Sequence, residues 1–270
     1  MKRQSIDVNI IVVSAIAVAA VSFLVGALVS LMAMIATATG LVVVVLLVAL
    51  NKSLRINARQ QDNLYHQVEA MTNLNLALQP RTALPSMRGY AGSPDFLMWL
   101  YREIQARAPK VIVEASSGVS TLVCGYALQQ LGEGKVVSLE HHEFFAGISQ
   151  NNLVQHQVND VAQVIHAPLI KHSINGEQWQ WYDFAAANLP EKIDMLVIDG
   201  PPRRTQPLAR YPALPLLHSR LADDAVILID DAARADERAM VKRWQQEYPN
   251  LTVVTLPAEK GLTVVSLTKP

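Results

Sequence analysis

Three short apolar runs in this chain each end in a carboxylate: Val136-Val137-Ser138-Leu139-Glu140, Leu196-Val197-Ile198-Asp199 and Ile227-Leu228-Ile229-Asp230-Asp231. A fourth, Ile112-Val113-Glu114-Ala115, leads into the turn Ser116-Ser117-Gly118-Val119-Ser120-Thr121. Near-continuous β-branched runs alternating with helical patterns are what strands buried on both faces of a parallel sheet require. Ligands of such sheets bind outside the carboxyl ends of the strands. Glu140, Asp199, Asp230 and Asp231 are therefore expected to converge on one crevice. A single acid at a strand end is often a helix cap, and Asp230 or Asp231 is placed to cap a helix at 233–247. Four acids on one edge need partners, because an unpaired desolvated carboxylate is costly.

The run of elements is consistent with this. Residues 86–270 number 185, enough for one well-buried α/β domain. Ser93-Pro94-Asp95 starts a helix with a hydroxyl cap, a first-turn proline and an acid. Strands follow at 111–115, 136–140, 161–166, 193–199 and 225–230, with helices at 119–131, 143–154, 207–221 and 233–247. Apolar runs 251–256 and 262–267 read as a closing hairpin that adds one antiparallel strand. The expected fold class is α/β, a Rossmann-like, mostly parallel seven-stranded sheet with helices on both faces.

The N-terminal part is different in kind. Residues 8–50, 43 positions, contain no charge. As one helix they would span about 65 Å, against a hydrocarbon core of roughly 30 Å. The run predicts two transmembrane helices, 8–29 and 34–51, with a turn near Ser30 to Met34, and a lipid-bilayer partner for 8–50. Gly26 and Ser30 have the small-xxx-small spacing that lets such helices approach closely. A cleaved leader is the competing reading, but the run far exceeds a leader's apolar core. Lys2 and Arg3 precede the run and Lys52, Arg55 and Arg59 follow it. The positive-inside rule then puts both termini and the globular domain in the cytoplasm, on an inner or plasma membrane. Leu64, Val68, Met71, Leu74 and Leu78 form a helical stripe within a stalk and linker at 52–85. The 54–78 helix is suited to pairing with a second copy, or to lying on the domain or the membrane surface. The domain plan is a 1–51 anchor, a 52–85 stalk and an 86–270 domain.

Charge excludes one class of partner. Outside the first 50 residues the chain has 21 basic and 22 acidic groups, so no basic excess marks a nucleic-acid surface. The single cysteine, Cys124, allows no internal disulfide and no cysteine zinc site, and it falls in a predicted helix core.

The turn after the first strand and the acid after the second resemble the cofactor site of class I S-adenosylmethionine-dependent methyltransferases. In that family the first strand leads through acid-x-Gly-x-Gly-x-Gly. Glu114, Ser116, Gly118 and Ser120 stand at those places, with serine for two of the three glycines. The resemblance covers about residues 90–270. It implies a cofactor site of Glu114, Ser116, Ser117, Gly118, Ser120, Thr121, Glu140, His141, His166, Ala167 and Asp199, with Glu140 on the ribose hydroxyls and 166–168 near the adenine. A further resemblance is to metal-dependent O-methyltransferases. It implies a Mg²⁺ ion held by Asp199, Asp230 and Asp231, with Asp199 and His142 as candidate catalytic groups. The lysine that follows the fourth-strand acid in some of those enzymes is absent, and Gly200-Pro201-Pro202-Arg203-Arg204 stands there instead.

Arg203, Arg204 and Arg210 are either a solvated surface or a grip on an anionic acceptor, since guanidinium forks suit phosphate and carboxylate. Trp179, Trp181 and Tyr182 either line an acceptor groove or pack the core. The expected activity is O-methylation of a small-molecule or glycan acceptor at the membrane. Two other readings stay open: a non-catalytic binding protein of the same fold, and a nicotinamide-dinucleotide enzyme.

Overall fold

The computed structural model describes residues 8–26, 31–87, 89, 91–185, 187 and 189–267. It divides into two compact units, residues 1–65 and 66–270. Helices are α1 (Val8–Gly26), α2 (Leu31–Leu78), α3 (Pro94–Arg107), α4 (Val119–Leu131), α5 (Glu143–Gln155), α6 (Ala213–Leu217) and α7 (Ala235–Glu247). Strands are β1 (Val111–Ala115), β2 (Lys135–Glu140), β3 (Ala162–His166), β4 (Leu169–Ile174), β5 (Glu177–Tyr182), β6 (Ile193–Ile198), β7 (Leu221–Ile229), β8 (Leu251–Leu256) and β9 (Leu262–Leu267).

The first unit corrects the expectation of two spans. Among the described residues one helix, α2, is long and apolar enough to cross a membrane. α1 has 19 residues, or about 28 Å, just short of a typical hydrocarbon core. Ser30, and with it the start of the expected turn, lies outside the described residues, while residues 31–34 are already helical. α2 does not stop near residue 51, because no glycine or proline interrupts residues 41–78. It ends where Gln79 turns left-handed at φ 49° and Pro80 follows.

In the second unit the last two members of the expected stripe, Leu74 and Leu78, are buried with Phe96, Leu97, Leu100 and Ile104 of α3. Leu64 and Val68 are exposed. α3 begins where expected with Ser93 at the N-cap, but the Ser93 hydroxyl makes no capping hydrogen bond to the helix. The Ser93 hydroxyl donates to Asp95 Oδ1, which itself accepts the Phe96 N–H.

The sheet order is β3-β2-β1-β6-β7-β9-β8. β9 runs antiparallel to both its neighbours, and the other pairings are parallel. Alternate residues of β1, β6 and β7 enter opposite cores, as the pleat requires. Val113, Leu196 and Ile227 pack on one face with Trp181, Tyr211 and Trp244. Ile112, Val197 and Leu228 pack on the other with Leu122, Leu74 and Phe96. Cys124 is fully buried in α4.

One expected element differs and one is additional. The helix expected at 207–221 is five residues, Ala213–Leu217, with a short 3-10 turn on either side. Pro207, Pro212 and Pro215 remove the donors a longer helix would need. The stretch 169–182 forms a separate antiparallel hairpin, β4–β5, around Asn175 and Gly176, both at positive φ.

Candidate active site

The site lies at the carboxyl ends of β1, β2, β6 and β7, and the ladder bonds there continue past the strands. Ser116 N–H donates to Leu139 O, Asp199 N–H to Ala115 O, and Asp230 N–H to Ile198 O. These bonds bring the 116–121 turn, Glu140, Asp199 and Asp230-Asp231 to one edge, as the sequence leads one to expect.

The turn is shaped from beneath by Glu114. Its carboxylate is fully buried and accepts hydrogen bonds from Thr121 (2.6 Å) and Ser138 (2.5 Å). Burial pushes this carboxyl above its ordinary value, against the lowering effect of hydrogen bonds from Ser120, Ser138 and Thr121. Glu114 therefore holds the turn rather than meeting a ligand. The Thr121 hydroxyl accepts the Gly118 N–H at 3.1 Å. Gly118 sits at φ 152°, and a Cβ there would meet nothing within 4 Å. That open ground above the turn is the space a cofactor needs for close backbone approach.

Glu140, at the end of β2, is buried. Its Oε1 accepts the His142 N–H at 2.9 Å and lies 3.0 Å from His141 Nδ1. Its Oε2 lies 3.3 Å from Ser117 Oγ, which also donates to Ser149 at 2.8 Å. Burial raises the carboxyl, but hydrogen bonds from His141 and the His142 N–H outweigh it and hold it below the ordinary value. The carboxylate is thus ionised and keeps acceptor capacity on Oε2. His166 pairs with Glu140 across β2 and β3, and Ala167 N–H donates to Glu140 O. The 166–167 segment is therefore beside the proposed ribose acid.

His142 is exposed, its ring tilted against Phe145. Its described contribution to the site is its backbone N–H. Ser149 and Ser138, which no sequence motif marks, complete the hydrogen bonding beneath the turn.

Asp199 follows β6. The next residue, Gly200, packs closely: a Cβ there would lie 2.3 Å from the Tyr182 hydroxyl and 3.1 Å from Ala115 O. Tyr182 and Trp181 are fully buried and Trp179 nearly so, which makes them core packing rather than groove. Among the described residues the Tyr182 hydroxyl has no hydrogen-bond partner.

Asp199, Asp230 and Asp231 offer carboxylate oxygens that lie within 4.8 Å of one another. Burial pushes Asp199 up to about 6 and Asp230 up to about 8, with the neighbouring acids adding to the rise. Asp231 sits at φ 62°, outside α7, so it does not cap that helix as an ordinary N-cap residue.

Arg210 is the correction at this site. It is 4% exposed, and its guanidinium is directed inward at these acids. With its donors on protein oxygens it is not free to grip an acceptor. Arg203 is exposed with Nε 3.4 Å from Asp236, and Arg204 is exposed on the same 3-10 turn. The three arginines therefore do not form one anion grip. The donor set also fits a divalent ion poorly, because a guanidinium already bridges two of its three acids.

Residues 115–232 match a family described as a methyltransferase domain. No curated protein matches the chain. Among solved structures, the SAH-bound methyltransferase PaMTH1 of Podospora anserina superposes with a TM-score of 0.57 at 16% identity, covering 79% of this chain and 96% of that one. An O-methyltransferase from Bacillus cereus in complex with SAH gives 0.51 at 17% identity, covering 75% and 91%. The O-methyltransferase TomG of Streptomyces achromogenes, in complex with SAM, gives 0.51 at 16% identity, covering 77% and 96%. The globular unit of this chain thus has the fold of these methyltransferases, and its residues 115–232 are similar to a methyltransferase domain.

Proposed function

We propose that this chain is a membrane-anchored S-adenosylmethionine-dependent methyltransferase that methylates a hydroxyl of a membrane-associated or glycan acceptor at the cytoplasmic face. The observation that carries it is the meeting of the open 116–121 turn, the ionised Glu140 and the raised Asp199 at one sheet edge. In this reading the turn backbone holds the methionine part of S-adenosylmethionine and Glu140 the ribose. The cofactor supplies an electrophilic methyl group on a sulfonium. Asp199 orients the acceptor hydroxyl and accepts the proton that its oxygen loses on taking the methyl. Tyr182 and Gly200 hold Asp199 in place by packing behind it.

The membrane part of the reading is supported by the apolar surface of the first unit, where Leu46, Leu47 and Val48 are 61%, 59% and 65% exposed. Such a surface suits a lipid environment. The basic residues on both sides of 8–50, Lys2 and Arg3 before it and Lys52, Arg55 and Arg59 after it, favour the cytoplasmic side for the domain.

The test is titration of the detergent-purified full chain with S-adenosylmethionine, SAH and NAD, followed by transfer of a labelled methyl group to membrane and soluble extracts. Binding of SAH with label entering a membrane-extract acceptor is expected. Binding of NAD alone would make the chain a dinucleotide enzyme. SAH binding with no transfer would make it a non-catalytic binder. Reporter fusions at residues 1 and 270 test the topology, and an active periplasmic reporter at residue 270 overturns it.

A further inference from the structure

Carboxylates at neighbouring strand ends repel one another unless a cation joins them. In the metal-dependent enzymes resembled above that cation is a divalent ion. Here the chain brings its own. Arg210 Nη2 donates to Asp231 Oδ2 at 2.7 Å, Asp199 Oδ1 at 3.0 Å and Asp199 O at 2.7 Å. Arg210 Nη1 donates to Asp230 O at 2.8 Å and lies 3.7 Å from Glu237. Arg234 adds a second guanidinium at 2.8 Å from Asp231 Oδ2 and 3.8 Å from Glu237. One carboxylate oxygen of Asp199, one of Asp231, and the main-chain carbonyls of Asp199 and Asp230 are therefore committed to Arg210.

A divalent ion bound through the other carboxylate oxygens would sit beside a guanidinium that cannot lose its proton. Mg²⁺ also demands six oxygens in octahedral array and keeps several waters. Among the described residues, Asp230 Oδ2, Asp231 Oδ1 and Glu237 Oε2 are left without a hydrogen-bond partner, and all three are buried. We infer that Arg210 is a positioning residue that takes the place of a divalent ion among the strand-end acids, so that this chain works without a metal. The inference rests on the methyltransferase reading for its bearing on turnover, and on the ion-pair geometry for the rest.

The full chain in detergent is melted in EDTA and in millimolar Mg²⁺, Ca²⁺ or Mn²⁺. Mn²⁺ binding is read separately from loss of the free-ion EPR signal. The wild-type chain is expected to melt at one temperature throughout and to leave the Mn²⁺ signal intact. Arg210→Met, which keeps the apolar bulk and loses the charge, melts roughly 10 °C lower in EDTA. It recovers part of that with a divalent ion, which now enters the vacated place. Arg210→Lys recovers part without one. A wild-type melting temperature raised by divalent ions overturns the inference, as does capture of Mn²⁺ that Asp230→Asn abolishes. So does an Arg210→Met chain as stable as wild type. If Arg210→Met does not fold, the wild-type Mn²⁺ measurement decides. SAH titration of the same wild-type sample separates the two readings: no SAH binding defeats the methyltransferase reading and leaves the ion-pair result standing.

Discussion

Thr121 donates to the buried Glu114 carboxylate over 2.6 Å while its oxygen accepts the N–H of Gly118 at 3.1 Å. One hydroxyl thus ties the first strand to the turn that follows it. Thr121→Val removes both bonds and leaves a buried carboxylate short of a donor. We expect a loss of about 1–3 kcal/mol in urea unfolding together with weaker SAH binding. Thr121→Ser should restore both, and a valine variant that binds SAH normally would show that the turn does not need this brace.

Glu114 itself sets a pH dependence. Its carboxyl titrates above 4.5 in the folded chain because burial disfavours the charge. The stability it contributes is present below 4.5 and is lost as pH rises through the folded value. Glu114→Gln cannot ionise. Urea midpoints measured from pH 4 upward should therefore fall for wild type relative to Glu114→Gln, and parallel profiles would refute the assignment.

Asp199 titrates near 6. As a proton acceptor it works only when ionised, so SAH release with a competent acceptor should rise with pH through about 6 and level off above it. Asp199→Asn should remove that limb and lower kcat by about 10²–10⁴-fold, with the affinity for SAH nearly unchanged. A rise that persists in the asparagine variant would assign the titration to another group.

Gly200 and Tyr182 form a steric pair. Gly200→Ala places a methyl 2.3 Å from the Tyr182 hydroxyl, and overpacking of this kind costs about 1–3 kcal/mol. Tyr182→Phe removes the opposing oxygen and should recover much of the loss in the double variant. Additive effects in thermal melts would mean that the Ala115 carbonyl, at 3.1 Å, is the true obstacle.

The end of α2 belongs to the domain core. Leu74→Ala or Leu78→Ala should destabilise the domain by about 2–5 kcal/mol. Leu64→Ala, at a position 57% exposed, should fall within about 0.5 kcal/mol of wild type. Equal effects at all three positions, read by urea unfolding, would contradict the burial pattern.

The sheet was legible because its strands are buried on both faces and so read as apolar runs closed by acids. β1, β8 and β9 begin and end at the expected residues. β7 starts four residues early, at Leu221, because exposed Asp223 and Asp224 break its apolar run without breaking the strand. The β4–β5 hairpin is not legible from alternation, although Asn175-Gly176 is a strong short signal for a two-residue hairpin turn. Its alternation is masked by polar residues such as Lys171 and Gln178. The convergence of Asp199, Asp230 and Asp231 follows from strand order alone. The role of Arg210 does not, since a guanidinium in a proline-rich loop carries no mark of facing inward. Ser149 of α5 meets Ser117 of the turn, Ser138 of β2 meets Glu114 and Thr121, and no spacing in the chain encodes either meeting.

The position of β9 has a consequence for how the domain is made. It lies between β7 and β8, although it is synthesised after both. Residues 251–256 leave the ribosome before the strand they pair with, 262–267, which then inserts between them and β7. The same late segment supplies the Gly261 and Lys260 carbonyls that hold the N–H groups of Ala232 and Ala233, directly after Asp231. The acidic end of β7 is thus fastened last. A chain interrupted before residue 262 would present β7 as an open apolar edge, the kind of surface on which unfinished sheets recruit one another.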